Sequence, residues 1–199
     1  MKQLVLASAN PGKLRELTAL LGDLGYQLHA QSEYAVPEVA ETGTTFVENA
    51  IIKARHAATI TGLPALADDS GIEVDALDGA PGVYSARFAG AAANDDANNA
   101  LLVEKLSHIP AAERSARYRA VIVLLRHAAD PSPIICEGHW EGMIQLEPAG
   151  SGGFGYDPYF YLPDHRCTSA QLSAVEKNRL SHRGAALKEL KRRLREQHV

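Results

Sequence analysis

The chain has 199 residues, 46% of them hydrophobic and 22% charged, the composition of a soluble globular protein with one sizeable core. Its net charge of −4 and pI near 6.1 exclude a general nucleic-acid binder, so an anionic ligand needs a local positive site. Its two cysteines, Cys136 and Cys167, show neither metal-ligand spacing nor a disulfide framework, which points to free thiols in a reducing compartment.

Leu4 to Ala7 reads as a buried first strand. Asn10-Pro11-Gly12 is a tight polar turn, and Leu14, Leu17, Leu20, Leu21 and Leu24 then recur at helical spacing up to the glycines at 22 and 25. Tyr26 to Ala30 is a second strand. Thr45-Phe46-Val47-Glu48 matches a capping box and opens a helix to about Thr61, with Phe46, Ala50, Ala54 and Ala57 on one face. Leu63 to Ala67 reads as a short strand that ends at Asp68-Asp69. A Gly- and Pro-rich loop covers 79–90, and Ala97 to Leu106 reads as helix.

Tyr118 to Arg126 contains the continuous apolar run Val121 to Leu125, the pattern of a central strand covered on both faces. Pro133 to Gln145 reads as strand with breaks at Gly138 and Gly142. A glycine-rich loop from Gly150 to Asp157 precedes two C-terminal helical patterns, the last with Leu187, Leu190 and Leu194 on one face. In the basic run Lys188 to Arg195, leucines and glutamates interleave with the cations, which makes it a solvated helix face. The alternation of strand and helix predicts an α/β fold with a mixed sheet, a single domain over 1–199. No stretch has the length to cross a membrane, and residues 3–7 are too few for a signal-peptide core, so a cytoplasmic location is expected.

Five groups of residues carry chemistry. Ser8-Ala9-Asn10-Pro11-Gly12-Lys13 joins a strand end to a helix start, where free N–H groups and the helix dipole favour an anion. Gly12 permits close backbone approach, and Lys13 adds a point charge. The spacing is not that of a Walker A loop. Asp68-Asp69-Ser70-Gly71 places two carboxylates at a strand end, where they suit a cation and a water, or an Asx turn. Glu41 is a second source of carboxylate for a hard cation such as Mg²⁺, with Lys53 and His56 on the helix that follows.

The loop Gly152-Gly153-Phe154-Gly155-Tyr156-Asp157-Pro158 surrounds one aromatic with glycines. That suits stacking on a planar base, or a hairpin loop with Phe154 turned inward. Lys177 and Ser181-His182-Arg183-Gly184 lie where two helices meet. His182 and Arg183 can donate to a carbonyl-bearing base, or stand as surface residues beside a cap at Ser181.

Taken together and in order, Ser8–Lys13, Glu41–Asn49, Ala67–Gly71, Gly79–Arg87, Gly152–Pro158 and Ser181–Gly184 resemble the inosine/xanthosine triphosphate pyrophosphatases. The likeness spans nearly the whole chain; residues 91–110 match only loosely, and no role is carried over there. It implies hydrolysis of ITP, dITP and XTP to the monophosphate and pyrophosphate, removing deaminated purines from the nucleotide pool. It further implies a long curved mixed sheet in two lobes around an active-site cleft, a homodimer and a Mg²⁺ requirement.

By the same likeness, Ser8, Ala9, Asn10, Pro11, Gly12 and Lys13 hold the triphosphate, with Lys53 as a second cation. Glu41 and Asp69 are Mg²⁺ ligands. Asp69 accepts the proton of the attacking water, supported by Asp68. Ser70, Phe154, Gly155, Tyr156, Asp157, Lys177, His182 and Arg183 contact substrate. Two alternatives stand beside this reading: a Maf-like pyrophosphatase of other base specificity, and a nucleotide sensor without catalysis.

Overall fold

A computed structural model describes residues 2–8, 14, 17–18, 21–22 and 24–196. The turn residues Ala9, Asn10, Pro11, Gly12 and Lys13 lie outside the described residues. Seven strands form an open mixed sheet: β1 (Lys2–Leu6), β2 (Tyr26–Ala30), β3 (Ala65–Val74), β4 (Ser115–Leu125), β5 (Ile134–Ile144), β6 (Phe160–Leu162) and β7 (Cys167–Thr168). Their order is β2-β1-β3-β4-β5-β6-β7. β1 runs parallel to β2 and β3, whereas β6 runs antiparallel to β5 and β7. Among the described residues, the longer helices are α1 (Phe46–Thr61), α2 (Asp95–Leu106), α3 (Ala174–Leu180) and α4 (His182–Glu196). This is the α/β architecture expected from the alternation of patterns.

The chain divides into two compact units. One comprises Met1–Asp69, Ala120–Glu137 and Ala185–Val199; the other comprises Ser70–Arg119 and Gly138–Gly184. In the first, Leu4, Leu6, Leu66, Ile122 and Leu190 are fully buried together. Leu17 and Leu21 join them from the helical residues after β1. In the second, Ile72, Leu102, Leu106 and Phe160 anchor a separate core, with the Phe160 ring edge-on to Tyr118 at 4.7 Å. Fully burying such side chains stabilises by about 1.5–3 kcal/mol each.

Local signals place several elements as expected. The Thr45 hydroxyl accepts from the Glu48 N–H at 3.3 Å, and the Glu48 carboxylate accepts from the Thr45 N–H at 2.9 Å. This reciprocal cap starts α1. The Val121–Leu125 run is buried on both faces of β4, fourth in the sheet. In α4, Leu187, Leu190 and Leu194 are buried, while Arg192 and Arg193 pair with Glu189 one turn away.

Three details differ. β3 continues through Asp68 and Asp69 to Val74 beside β4, beyond its pairing with β1 at Ala65 and Leu66, so sheet pairing overrides the local Asp-Ser-Gly turn signal. β5 runs unbroken through Gly138 and Gly142. A Cβ at Gly142 would stand 2.6 Å from the Phe160 ring, so this glycine makes room for a core aromatic. The brief β6 and β7 follow the glycine-rich loop and had no sequence signal of their own.

Candidate active site

In the first unit, two acidic side chains and one backbone carbonyl converge on a lysine of α1. Lys53, two turns into α1, places its Nζ 2.7 Å from Asp69 Oδ1 and 3.2 Å from Glu41 Oε1. It also donates to the Asp68 backbone carbonyl at 3.2 Å. Because consecutive strand residues face opposite ways, the lysine meets Asp69 through its carboxylate and Asp68 through its backbone. Asp68 and Asp69 are both buried. A cavity of about 270 Å³ is lined by Ser8, Glu41, Lys53, His56 and Asp68, among others. The His56 ring bonds the Pro37 carbonyl at 3.0 Å, tying α1 to the loop that leads to Glu41.

Burial pushes the Asp69 carboxyl above its ordinary value; Lys53 opposes this, while Glu41 and Asp68 add to it. Asp69 Oδ2 is buried and, among the described residues, accepts no hydrogen bond. Such an oxygen is costly unless a ligand uses it. Among the described residues, no group of three or more His, Cys, Asp and Glu side chains is arranged to hold a metal. A hard cation that draws its remaining ligands from phosphate oxygens and water needs only one or two carboxylates. Glu41 and Asp69, converging on one ammonium, with an unused Asp69 oxygen, fit that requirement.

The position of Glu41 depends on residues that the sequence analysis did not assign. Two residues beyond it, the Gly43 N–H donates to Asn49 Oδ1 at 2.8 Å, and Asn49 is fully buried in the first turns of α1. A Cβ on Gly43 would meet Glu48 Cβ at 2.5 Å. The available signal was an asparagine, a poor helix former, inside an otherwise good helix one turn before Lys53.

The second unit holds the remaining candidates. Phe154 is 59% exposed, so its ring is not packed inward. The Lys177 ammonium lies 5.0 Å from its centroid. Asp157, buried beneath the loop, accepts from the Phe154 N–H at 2.8 Å and from Ser169 Oγ at 2.7 Å, and forms an ion pair with Lys177. Tyr156 is buried and donates through its hydroxyl to the Ser85 carbonyl at 2.7 Å. His182 is 7% exposed, its ring stacked on Tyr118 at 4.7 Å with the planes 10° apart. Burial and the nearby Asp157 carboxylate hold the Tyr118 phenol in its neutral form. Arg183 donates to Ser70 Oγ at 3.3 Å. Ser181 caps α4 by accepting from the Gly184 N–H at 3.2 Å.

Known proteins give this arrangement a context. A dITP/XTP pyrophosphatase of Xanthomonas campestris is 61% identical over 194 residues, 98% of each chain. One from Vibrio cholerae is 58% identical over 197 residues, covering 99% of this chain and 98% of the relative. The solved structure of a HAM1 protein from Coxiella burnetii superposes with a TM-score of 0.95 at 52% identity, over 98% of this chain and all of that one. The Ham1 family model matches residues 4–193. A family match over residues 4–193, with a solved relative that superposes over nearly the whole length of both chains, places the chain in the Ham1 family.

Proposed function

We propose that this protein hydrolyses dITP, ITP and XTP to the nucleoside monophosphate and pyrophosphate, and so removes deaminated purines from the nucleotide pool. The observation that carries the reading is identity near 60% to dITP/XTP pyrophosphatases over nearly the full length of both chains. The acidic cluster supplies a chemistry to match. Phosphoryl transfer depends mainly on positioning and charge stabilisation.

Lys53 and the segment Ser8 to Lys13 hold the triphosphate and stabilise the departing pyrophosphate. Asp69 orients a water through its unused oxygen and takes its proton as the oxygen–phosphorus bond forms at the α-phosphate. The bond from the α-phosphorus to the bridging oxygen breaks, and its electron pair leaves with pyrophosphate. Asp68 supports Asp69 from the neighbouring strand position. Glu41 and Asp69 would hold Mg²⁺, which when bound neutralises charge on phosphate oxygens. Phe154 stacks on the base, held by the turn through Gly155, Tyr156 and Asp157, with Lys177 against the ring. Arg183, braced on Ser70, and His182, braced on Tyr118, donate to the oxygen at the six position of the base. Adenine carries an amino group there and leaves those donors unpaired, at about 1–3 kcal/mol per group.

The polypeptide acts as one catalytic domain over 1–199, as a homodimer in the cytoplasm, with no nucleic acid or membrane partner. Among the described residues, no helix is long and apolar enough to cross a membrane. The test is product identification by chromatography. ITP with Mg²⁺ yields IMP and pyrophosphate in equal amounts, a chelator abolishes turnover, and ATP reacts far more slowly. IDP and free phosphate as first products overturn attack at the α-phosphate.

A further inference from the structure

Helix α2 lies in the stretch to which the family likeness assigned no role, yet two of its side chains grip one residue of the aromatic loop. The Asp95 carboxylate accepts from the Gly155 N–H at 2.7 Å. The Asn99 side-chain amide donates to the Gly155 carbonyl at 2.9 Å. Residues four apart share a helix face, so one rigid element spans both polar groups of a single loop residue. Asn99 is 7% exposed, and the bond to a charged carboxylate is of the stronger kind.

Gly155 sits at φ +61°, in the left-handed region. The residue before it is the exposed Phe154; the residue after it is Tyr156, anchored on Ser85. The grip therefore falls where the loop turns an aromatic ring out to solvent and returns to the core. A solvent-facing ring gains little from packing, so its order depends on how its backbone is held.

We propose that Asp95 and Asn99 are positioning residues for base recognition: by holding Gly155 at both its N–H and its carbonyl, they keep the Phe154 ring in place before a purine arrives. Neither touches the base. They act by removing the ordering cost that a loose loop would add to binding. This inference rests on the reading of Phe154 as the stacking residue.

The test compares Phe154→Ala with Asp95→Ala, Asp95→Asn and Asn99→Asp, using steady-state kinetics on ITP and amide hydrogen exchange. Phe154→Ala raises KM. Asp95→Ala and Asn99→Asp each raise KM about fivefold, the worth of one ordinary hydrogen bond, with the loss falling in KM rather than kcat. Asp95→Asn keeps an acceptor oxygen and recovers most of the affinity. Exchange accelerates at 153–157 and not across the sheet.

Wild-type KM in Asp95→Ala and Asn99→Asp, beside a raised KM in Phe154→Ala, overturns the positioning role and leaves the base reading standing. Wild-type KM in Phe154→Ala overturns the base reading, and this inference with it. Accelerated exchange throughout the chain shows a general structural role and also overturns the inference.

Discussion

The two acidic centres of the molecule are built on opposite principles. Asp157 has a partner in every direction: the Phe154 N–H, the Ser169 hydroxyl and the Lys177 ammonium. Asp69 shares one lysine with Glu41 and keeps a buried oxygen that, among the described residues, has no hydrogen bond. Both are buried aspartates paired with a lysine. The first is satisfied, so it fixes a loop. The second keeps a buried oxygen that no described residue uses, so it costs stability and is available for chemistry. The contrast suggests that satisfaction of the side chain, rather than burial or charge, separates a structural aspartate from a reactive one in this fold.

The sharpest way to break that contrast is Asp69→Asn. Losing the proton acceptor lowers kcat by about a hundredfold or more. The sign for stability is the reverse of the usual case. A carboxyl raised above its unfolded value stabilises below that value and loses the contribution as pH rises through the folded one. Asp69→Asn therefore leaves the Tm at pH 7 unchanged or higher, measured by thermal denaturation beside pyrophosphate release. Activity needs the ionised form, so the rate falls as falling pH protonates Asp69. In the metal-free protein, Lys53→Met removes the opposing charge and raises the Asp69 carboxyl further.

Asp157→Ala sharpens the comparison from the other side. It strands the Lys177 ammonium, whose side chain is only 18% exposed, and unpairs the Phe154 N–H. A loss of about 2–3 kcal/mol in a denaturant titration is expected. A Tm loss in Asp69→Asn equal to that in Asp157→Ala would erase the distinction between the two aspartates.

The smallest effect belongs to base choice. Arg183→Ala lowers the ITP-to-ATP ratio of kcat/KM about tenfold, the worth of one donor to the six-position oxygen. Phe154→Ala weakens both substrates with less change in the ratio, because stacking does not read that group. Equal losses for ITP and ATP in Arg183→Ala would place discrimination elsewhere.

Much of this was legible in the sequence because the signals were local. The Thr45–Glu48 cap, the Val121–Leu125 run and the leucine stripe of α4 each span few residues, and the forces that act on them are short-ranged. The residue types of the acidic cluster were legible too, although Asp68-Asp69 also read as an Asx turn and their convergence on Lys53 with Glu41 was not local. The turn at 9–13 was read from sequence and lies outside the described residues.

Three matters were decided only by tertiary structure. Asp68 and Asp69 lie inside a ten-residue strand that runs on beside β4 past its short pairing with β1 at Ala65 and Leu66, and this sheet pairing outweighs a local turn preference. Gly142 continues a strand because the Phe160 ring needs its space, and nothing in the neighbouring residues announces that ring. Asp95 and Asn99 meet Gly155 across 60 and 56 residues of chain. An aspartate and an asparagine near a helix start have an ordinary local explanation as caps and solvated polar residues, and α2 is in fact capped by Asn94. The sequence alone determined which residue types were available for chemistry and where most of the longer elements lie. Long-range packing decided which polar groups are satisfied, because hydrogen-bond partners distant in sequence are chosen by the fold as a whole.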